Sequence, residues 1–281
     1  MAYGVLYGSA MDSRWHECGH GTAFRTHLYN DIVHQIASFC IVRNPVNWRW
    51  SHARHHTDTI IVGRDPEIVT MRPPALIRII SNFFGIADAW ASWGRMLLNA
   101  GGRIHPEEAT FIPESEWPKV IRVARVWVLI YAATIATSVM TASILPLMAI
   151  GLPRLYGAWH HVMTGILQHG GLAEDVIDHR LNTRTVYMNP ISQFIYWSLN
   201  YHVEHHMFPM VPYHRLPALH ATIRRDLPEA TPSILSGYRE LLPILCRQLR
   251  YEDMYIRRDL PPTARPYRED LHVKALDGLL T

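Results

Sequence analysis

Three stretches of this 281-residue chain gather histidine at intervals suited to metal binding. In Asn200-Tyr-His-Val-Glu-His-His206, the imidazoles of His202, His205 and His206 stand three and four residues apart. On a helix those offsets share one face a single turn apart, so three imidazoles can converge on one point. The pattern recurs in His52-Ala-Arg-His-His56, with His52, His55 and His56, and in reduced form in His16-Glu-Cys-Gly-His20. Gln168-His169-Gly170-Gly171 supplies a ninth candidate, His169.

Nine imidazoles exceed what one ion can use, whereas two ions with four or five each can take them. Imidazole suits zinc, copper and iron. Of these, iron carries the redox chemistry that activates dioxygen, and two adjacent irons share the electron load. Carboxylates beside such ligands commonly orient the imidazole through its second ring nitrogen, which nominates Glu17, Asp58 and Glu204. Asn200, just ahead of the third box, is a candidate to approach a metal directly or through water. The first box alone also satisfies H-E-x-x-H, the zinc metalloprotease helix with its Glu as general base. A zinc protease needs three protein ligands and one open position. It has no use for two further boxes, which makes that the minority reading.

The remaining histidines divide by context. His27, His34, His105, His214, His220 and His272 stand in unpatterned surroundings and read as surface or hydrogen-bonded core residues. His160 and His161 fall in an apolar segment, where ionisable groups are usually functional, and fit a substrate path or the lip of the site equally. His179 is left open.

The elements that must position these residues are helical and partly membrane-embedded. Apolar residues concentrate between Val120 and Gln168, and Val126 to Pro153 carries no charge, long enough to cross a hydrocarbon core of about 30 Å. Bringing the boxes to one side of a membrane requires an even number of crossings, so 120–168 reads as a transmembrane hairpin, with Arg154 at its far end. Met1 to Ala10 reads as the tail of a membrane helix whose beginning is absent from the sequence. Residues 11–119 hold boxes one and two with an interfacial helix in Ala75–Ala100, whose apolar pattern is interrupted by Arg78, Asp88 and Arg95. Thr57 to Pro74 reads as a loop. Residues 169–220 hold the third box, stopped by Pro209 and Pro212, and 221–281 form a cytosolic tail with two short amphipathic helices, extended from Asp259 on. The expected fold is a single all-α domain, a helical membrane protein with a cytosolic helical cap that holds the histidine-rich site.

Charge and cysteine content narrow the partners. The net charge is +3, and nearly all positive charge is arginine, Lys119 and Lys274 being the only lysines. Arginines flanking the apolar segments suit lipid headgroups or an acidic electron carrier. The chain shows no basic stripe or motif for nucleic acid. Cys18, Cys40 and Cys246 are three widely spaced thiols without a C-x-x-C, which fits a reducing compartment and leaves no iron-sulfur set. Electrons must then come from another protein.

The set His16-Glu-Cys-Gly-His20, His52-Ala-Arg-His-His56, Leu167-Gln-His169 and Asn200-Tyr-His-Val-Glu-His-His-Met-Phe-Pro209 resembles the membrane fatty acid desaturase superfamily of non-haem di-iron enzymes, over roughly residues 11 to 220. The resemblance implies two iron ions, cycling between Fe2+ and Fe3+ with dioxygen as co-substrate, held by His16, His20, His52, His55, His56, His169, His202, His205 and His206. It implies four membrane helices in two hairpins, of which this sequence shows the second. It also implies desaturation of a fatty acyl or lipid substrate with the site on the cytosolic face, here of a bacterial inner membrane. A separate donor is implied as well: a ferredoxin, Rieske-type protein or rubredoxin with its reductase. The first box and Trp48-Arg-Trp-Ser-His52 are also similar to bacterial members proposed to act in rhizopine breakdown. Hydroxylation or oxidative demethylation of a smaller methyl ether is therefore the alternative.

Overall fold

The computed structural model describes residues 1–264. Among them the fold is all-helical, as expected, with two isolated bridges, Thr185 to Tyr201 and Val186 to Thr231, in place of strands. The helices that position the site are α1 (Met11–His20), α2 (His27–Ile41), α3 (Pro45–Thr57), α4 (Ile86–Ala100), α5 (Trp117–Met140), α6 (Trp159–His169), α7 (His202–Met207), α8 (Leu216–Ile223) and α9 (Ile234–Gln248). The expected extended tail is non-helical from Asp259 to residue 264; its remainder, with His272, lies outside the described residues. Contacts divide the chain into two compact units, each built from two separated stretches: Met1–Ser51 with Ile80–Val162, and His52–Ile79 with Met163–Thr281.

In the first unit the apolar start is helical and leads directly into the first box, through Ala2–Gly4 and a π-helical turn at Val5–Ala10 to α1. Gly4 and Gly157 meet so closely that a Cβ on Gly157 would lie 1.8 Å from the Gly4 carbonyl oxygen. Trp15, Ala37, Ile41 and Trp48 form a buried cluster that clamps α1 to α2. Each large side chain so buried contributes about 1.5–3 kcal/mol. A second cluster, Val42, Met96, Ala124 and Trp127, packs α4 on α5.

The expected interfacial helix appears as two, Leu76–Asn82 and α4, because Gly85 between them adopts φ 65°. Among the described residues, the segment ending in α5 is the one helix long and apolar enough to cross a membrane. Its side chains Leu129, Val139 and Met140 are exposed. The return limb of the expected hairpin is broken into Leu145–Ala149, Pro153–Tyr156 and α6. Two prolines, Pro146 and Pro153, and two glycines, Gly151 and Gly157, account for the breaks. Arg154 is fully buried there; it pairs with Asp88, which also receives Arg43 at 3.3 Å, and donates to His161 Nε2 at 3.2 Å.

In the second unit, Ile166, Leu167, Val186, Leu241, Ile244 and Leu245 form the core that joins the end of α6 to α9. Arg184 is buried against the C-terminal end of α6, donating to the carbonyls of Leu167 at 2.6 Å and Gly170 at 3.3 Å. It thereby satisfies carbonyls that a helix end leaves without intrahelical partners. The segment after it fixes the third box. Val186 N donates to Asn200 O, Asn200 Nδ2 returns to Val186 O, and Thr231 N donates to Thr185 O, each at 2.9 Å. The third-box helix, α7, is only six residues long and has no side-chain N-cap, so these tertiary bonds hold it.

Candidate metal centre

The second unit brings seven of the nine candidate histidines together. The offsets of three and four give the third box one face but not one point, since His205 and His206 fall in different ligand groups. On a helix turning about 100° per residue, His202, His205 and His206 span a face about 100° wide, and all three are buried. His52 and His55 are likewise buried on α3.

What makes these rings potential ligands is how each second nitrogen is occupied. His55 Nδ1 donates to Asp65 and His52 Nδ1 to Glu67, each at 2.8 Å. His169 Nδ1 donates to the Asn182 carbonyl at 3.0 Å. Thr59 Oγ1 gives its proton to the His55 carbonyl at 2.6 Å, so its lone pair accepts from His206 Nδ1 at 3.2 Å. With Nδ1 protonated in these four rings, Nε2 carries the free lone pair. The Nε2 atoms of His169 and His202, and of His202 and His206, lie 3.1 Å apart, and those of His52 and His56 3.0 Å apart. Ring nitrogens at that spacing suit a shared cation. Nitrogens about 2.1 Å from one ion stand roughly 3.0–3.4 Å from each other.

Two trios emerge within this unit. One ligand atom each of His55, His169 and His206 lie within 4.8 Å of one another, as do those of His52, His56 and His205. Burial favours the neutral form in two of the first trio. Burial, with the charge of His55 second, lowers the His169 pKa to about 3. Burial and the surrounding imidazoles hold His206 well below its ordinary value. Burial also pulls His55 down, but Asp65 and Glu67 outweigh it and the pKa is raised. His179, left open by the sequence, lies with its ring 5.2 Å from that of His206, its pKa lowered to about 4 chiefly by burial. All-imidazole donors of this kind fit iron, copper or zinc by ligand type.

In the first unit, His16 and His20 lie on α1 with ring centroids 5.0 Å apart, both flanked by Trp48. Gly19 is required there, since a Cβ at that position would fall 1.7 Å from the Trp48 ring. Cys18, between the two histidines, is fully buried, and burial pushes its thiol up to about 12, so it stays protonated at neutral pH.

The carboxylates fall differently from their sequence assignments. Glu17 is buried 3.4 Å from His16 Nδ1. Asp58 pairs with Arg64 at 2.8 Å and with Arg54 at 3.9 Å. Glu204 accepts from Thr185 Oγ1 at 2.6 Å and from His220 Nδ1. Asn200 is spent through its amide nitrogen on Val186, and its Oδ1 is buried without a partner. The groups that grip box two are Asp65 and Glu67, which the sequence reading missed. The Asp65-Pro66-Glu67 turn, read only as a loop signal, was the mark that could have found them.

A sequence profile of the fatty acid desaturase family matches residues 1–238, and the chain belongs to that family. It is 24% identical over 272 residues to the sn-2 acyl-lipid omega-3 desaturase (ferredoxin), chloroplastic, of Arabidopsis thaliana, a match covering 86% of this chain and 58% of that protein. It is 25% identical over 226 residues to the acyl-lipid omega-3 desaturase (cytochrome b5), endoplasmic reticulum, of the same plant, covering 72% and 56%. A Delta(12)-fatty-acid desaturase of Vernicia fordii is 32% identical over 84 residues, 29% of this chain and 22% of that protein. The chain thus spans little more than half the length of the first two.

Proposed function

We propose that the chain is an integral membrane di-iron oxidoreductase that uses dioxygen to desaturate a fatty acyl or lipid substrate. The observation that carries this reading is the convergence of His55, His169 and His206, whose Nδ1 atoms are all engaged and whose ligand atoms lie within 4.8 Å of one another. Two irons, when bound, supply the one-electron redox steps that dioxygen activation needs. The chain's own residues bind and orient. His16, His20, His52, His55, His56, His169, His202, His205 and His206 are the ligands of this proposal; the place of His16 and His20 in the set rests on the histidine-box pattern. Asp65 and Glu67 fix the tautomers of His55 and His52 and raise their basicity.

Membrane insertion is supported by the length, apolarity and exposure of α5. The exposed Phe84 and Trp90 at and beside α4 suit an interfacial position. In this reading the site faces the cytosol at a bacterial inner membrane, and the arginines on either side of the apolar segment support that orientation. With no cysteine set for a cluster, electrons come from a separate ferredoxin, Rieske-type protein or rubredoxin and its reductase. The relatives named for ferredoxin and cytochrome b5 support a separate donor protein.

One observation favours a second reading, hydroxylation or oxidative demethylation of a smaller polar molecule at the same centre. The first unit holds buried Arg154 and His161 together with partly buried Asp88, a polar cluster that an acyl chain alone would not need. Expression with a donor system under labelled dioxygen separates the outcomes by product mass: loss of two hydrogens, gain of one labelled oxygen, or loss of a methyl group. Metal analysis tests the centre itself; active protein with about one zinc and no iron per chain would sink the di-iron reading.

A further inference from the structure

The third box contains one carboxylate, and it faces away from the histidines. At about 100° per residue, Glu204 stands roughly 160–200° around α7 from His202 and His206 and about 100° from His205. Its side chain is fully buried. Oε2 accepts from Thr185 Oγ1 at 2.6 Å and Oε1 from Nδ1 of His220, on α8. His220 is held in turn by its other nitrogen, since its Nε2 lies 2.8 Å from the hydroxyl of Tyr187, a partly exposed residue whose backbone N–H donates to Thr231 O at 2.9 Å. The result is a hydrogen-bonded line, Tyr187 to His220 to Glu204, that ends on the back of the shortest helix of the site.

We infer that His220 is a positioning residue of the metal centre, acting through Glu204 to set the rotation of α7 and the aim of His202, His205 and His206. This rests on the metal-centre reading above. Three features carry it. α7 has no side-chain cap and, at six residues, fewer than two turns, too few to hold its own orientation. A buried carboxylate without a partner is costly, so the Glu204 bonds must be made and their geometry is obligatory. Thr185 supplies one of them from the segment whose Val186 pins Asn200, and His220 supplies the other from α8, so Glu204 ties α7 to two separate elements. Sequence spacing gives no hint of this, because His220 lies sixteen residues from Glu204 in an unpatterned context.

The two ring nitrogens have different partners, which makes the role testable. An Asn amide nitrogen falls near the Nδ1 position and can still serve Glu204, whereas a Gln amide nitrogen falls near Nε2 and serves Tyr187 instead. The full chain in detergent is titrated with Co2+, whose visible spectrum reports ligand geometry without turnover. His220→Ala and His220→Gln are expected to bind Co2+ about 10–100-fold more weakly than the unsubstituted protein, with altered bands. His220→Asn is expected to stay within a few-fold and keep the spectrum. Thermal unfolding of the metal-free variants checks the fold, and if His220→Ala does not fold, the Asn and Gln pair decides. Equal Co2+ affinity and spectra in all variants, or equal impairment in Asn and Gln, overturns the inference. Failure of the unsubstituted protein to bind Co2+ overturns instead the metal-centre reading beneath it.

Discussion

Asp65 and Glu67 show what a residue in a loop can do for a helix. Each accepts a hydrogen bond from the Nδ1–H of a box-two histidine, and Asp65 is itself fixed by the backbone N–H groups of Ile60 and Glu67 at 2.8 Å. Asp65→Asn and Glu67→Gln should therefore lower iron affinity about 10–100-fold with little loss of helix content, measured by metal titration and circular dichroism. Asp58→Asn, whose carboxylate serves Arg64, should leave iron affinity unchanged in the same titration. The ligand candidates were legible because offsets of three and four on a helix leave few outcomes. Their carboxylate partners were not, because sequence proximity favours neighbours such as Asp58 and Glu204. The groups that reach box two arrive from ten and fifteen residues away on a returning loop.

Helices needed anchors that the apolar pattern alone did not reveal. Arg184 reads as one more arginine in a polar stretch, yet it is buried at the end of α6, and burial lowers its pKa to about 9. Arg184→Ala should orphan the carbonyls of Leu167 and Gly170, costing about 1–3 kcal/mol each. A lower thermal midpoint together with a lower iron content would show that the end of α6, and His169 with it, has lost its hold. Gly19→Ala acts at the other end of the chain by pushing Trp48 aside, a change of about 1–3 kcal/mol that tryptophan fluorescence should register. The hydropathy of 120–168 showed α5 plainly. It could not show the breaks in the return limb, because apolar content does not report the local bends at Gly151, Pro153 and Gly157.

For the whole molecule, the histidines couple stability to pH. His169 and His179 have folded pKa values of about 3 and 4, below the ordinary histidine value near 6.5. Their neutral forms therefore favour folding, fully above pH 6.5 and progressively less as pH falls toward 4. His55, with a raised pKa, works in the opposite sense, contributing below its unfolded value and losing that contribution as pH rises. The lowered groups outnumber it. The metal-free protein should lose thermal stability from pH 7 to 5, and iron should be released over the same range as protons compete for Nε2. An alkaline carbonate wash tests the membrane reading, since a chain anchored by α5 should stay in the membrane pellet. The second unit has one more consequence, in the time domain. Its trio draws on His55 and His206, and the ribosome makes the 150 residues between them in roughly 8–30 s at about 5–20 residues per second. Box two must wait that long for its partner, so if the trio holds a metal as proposed, that site is complete only after α7 has been made.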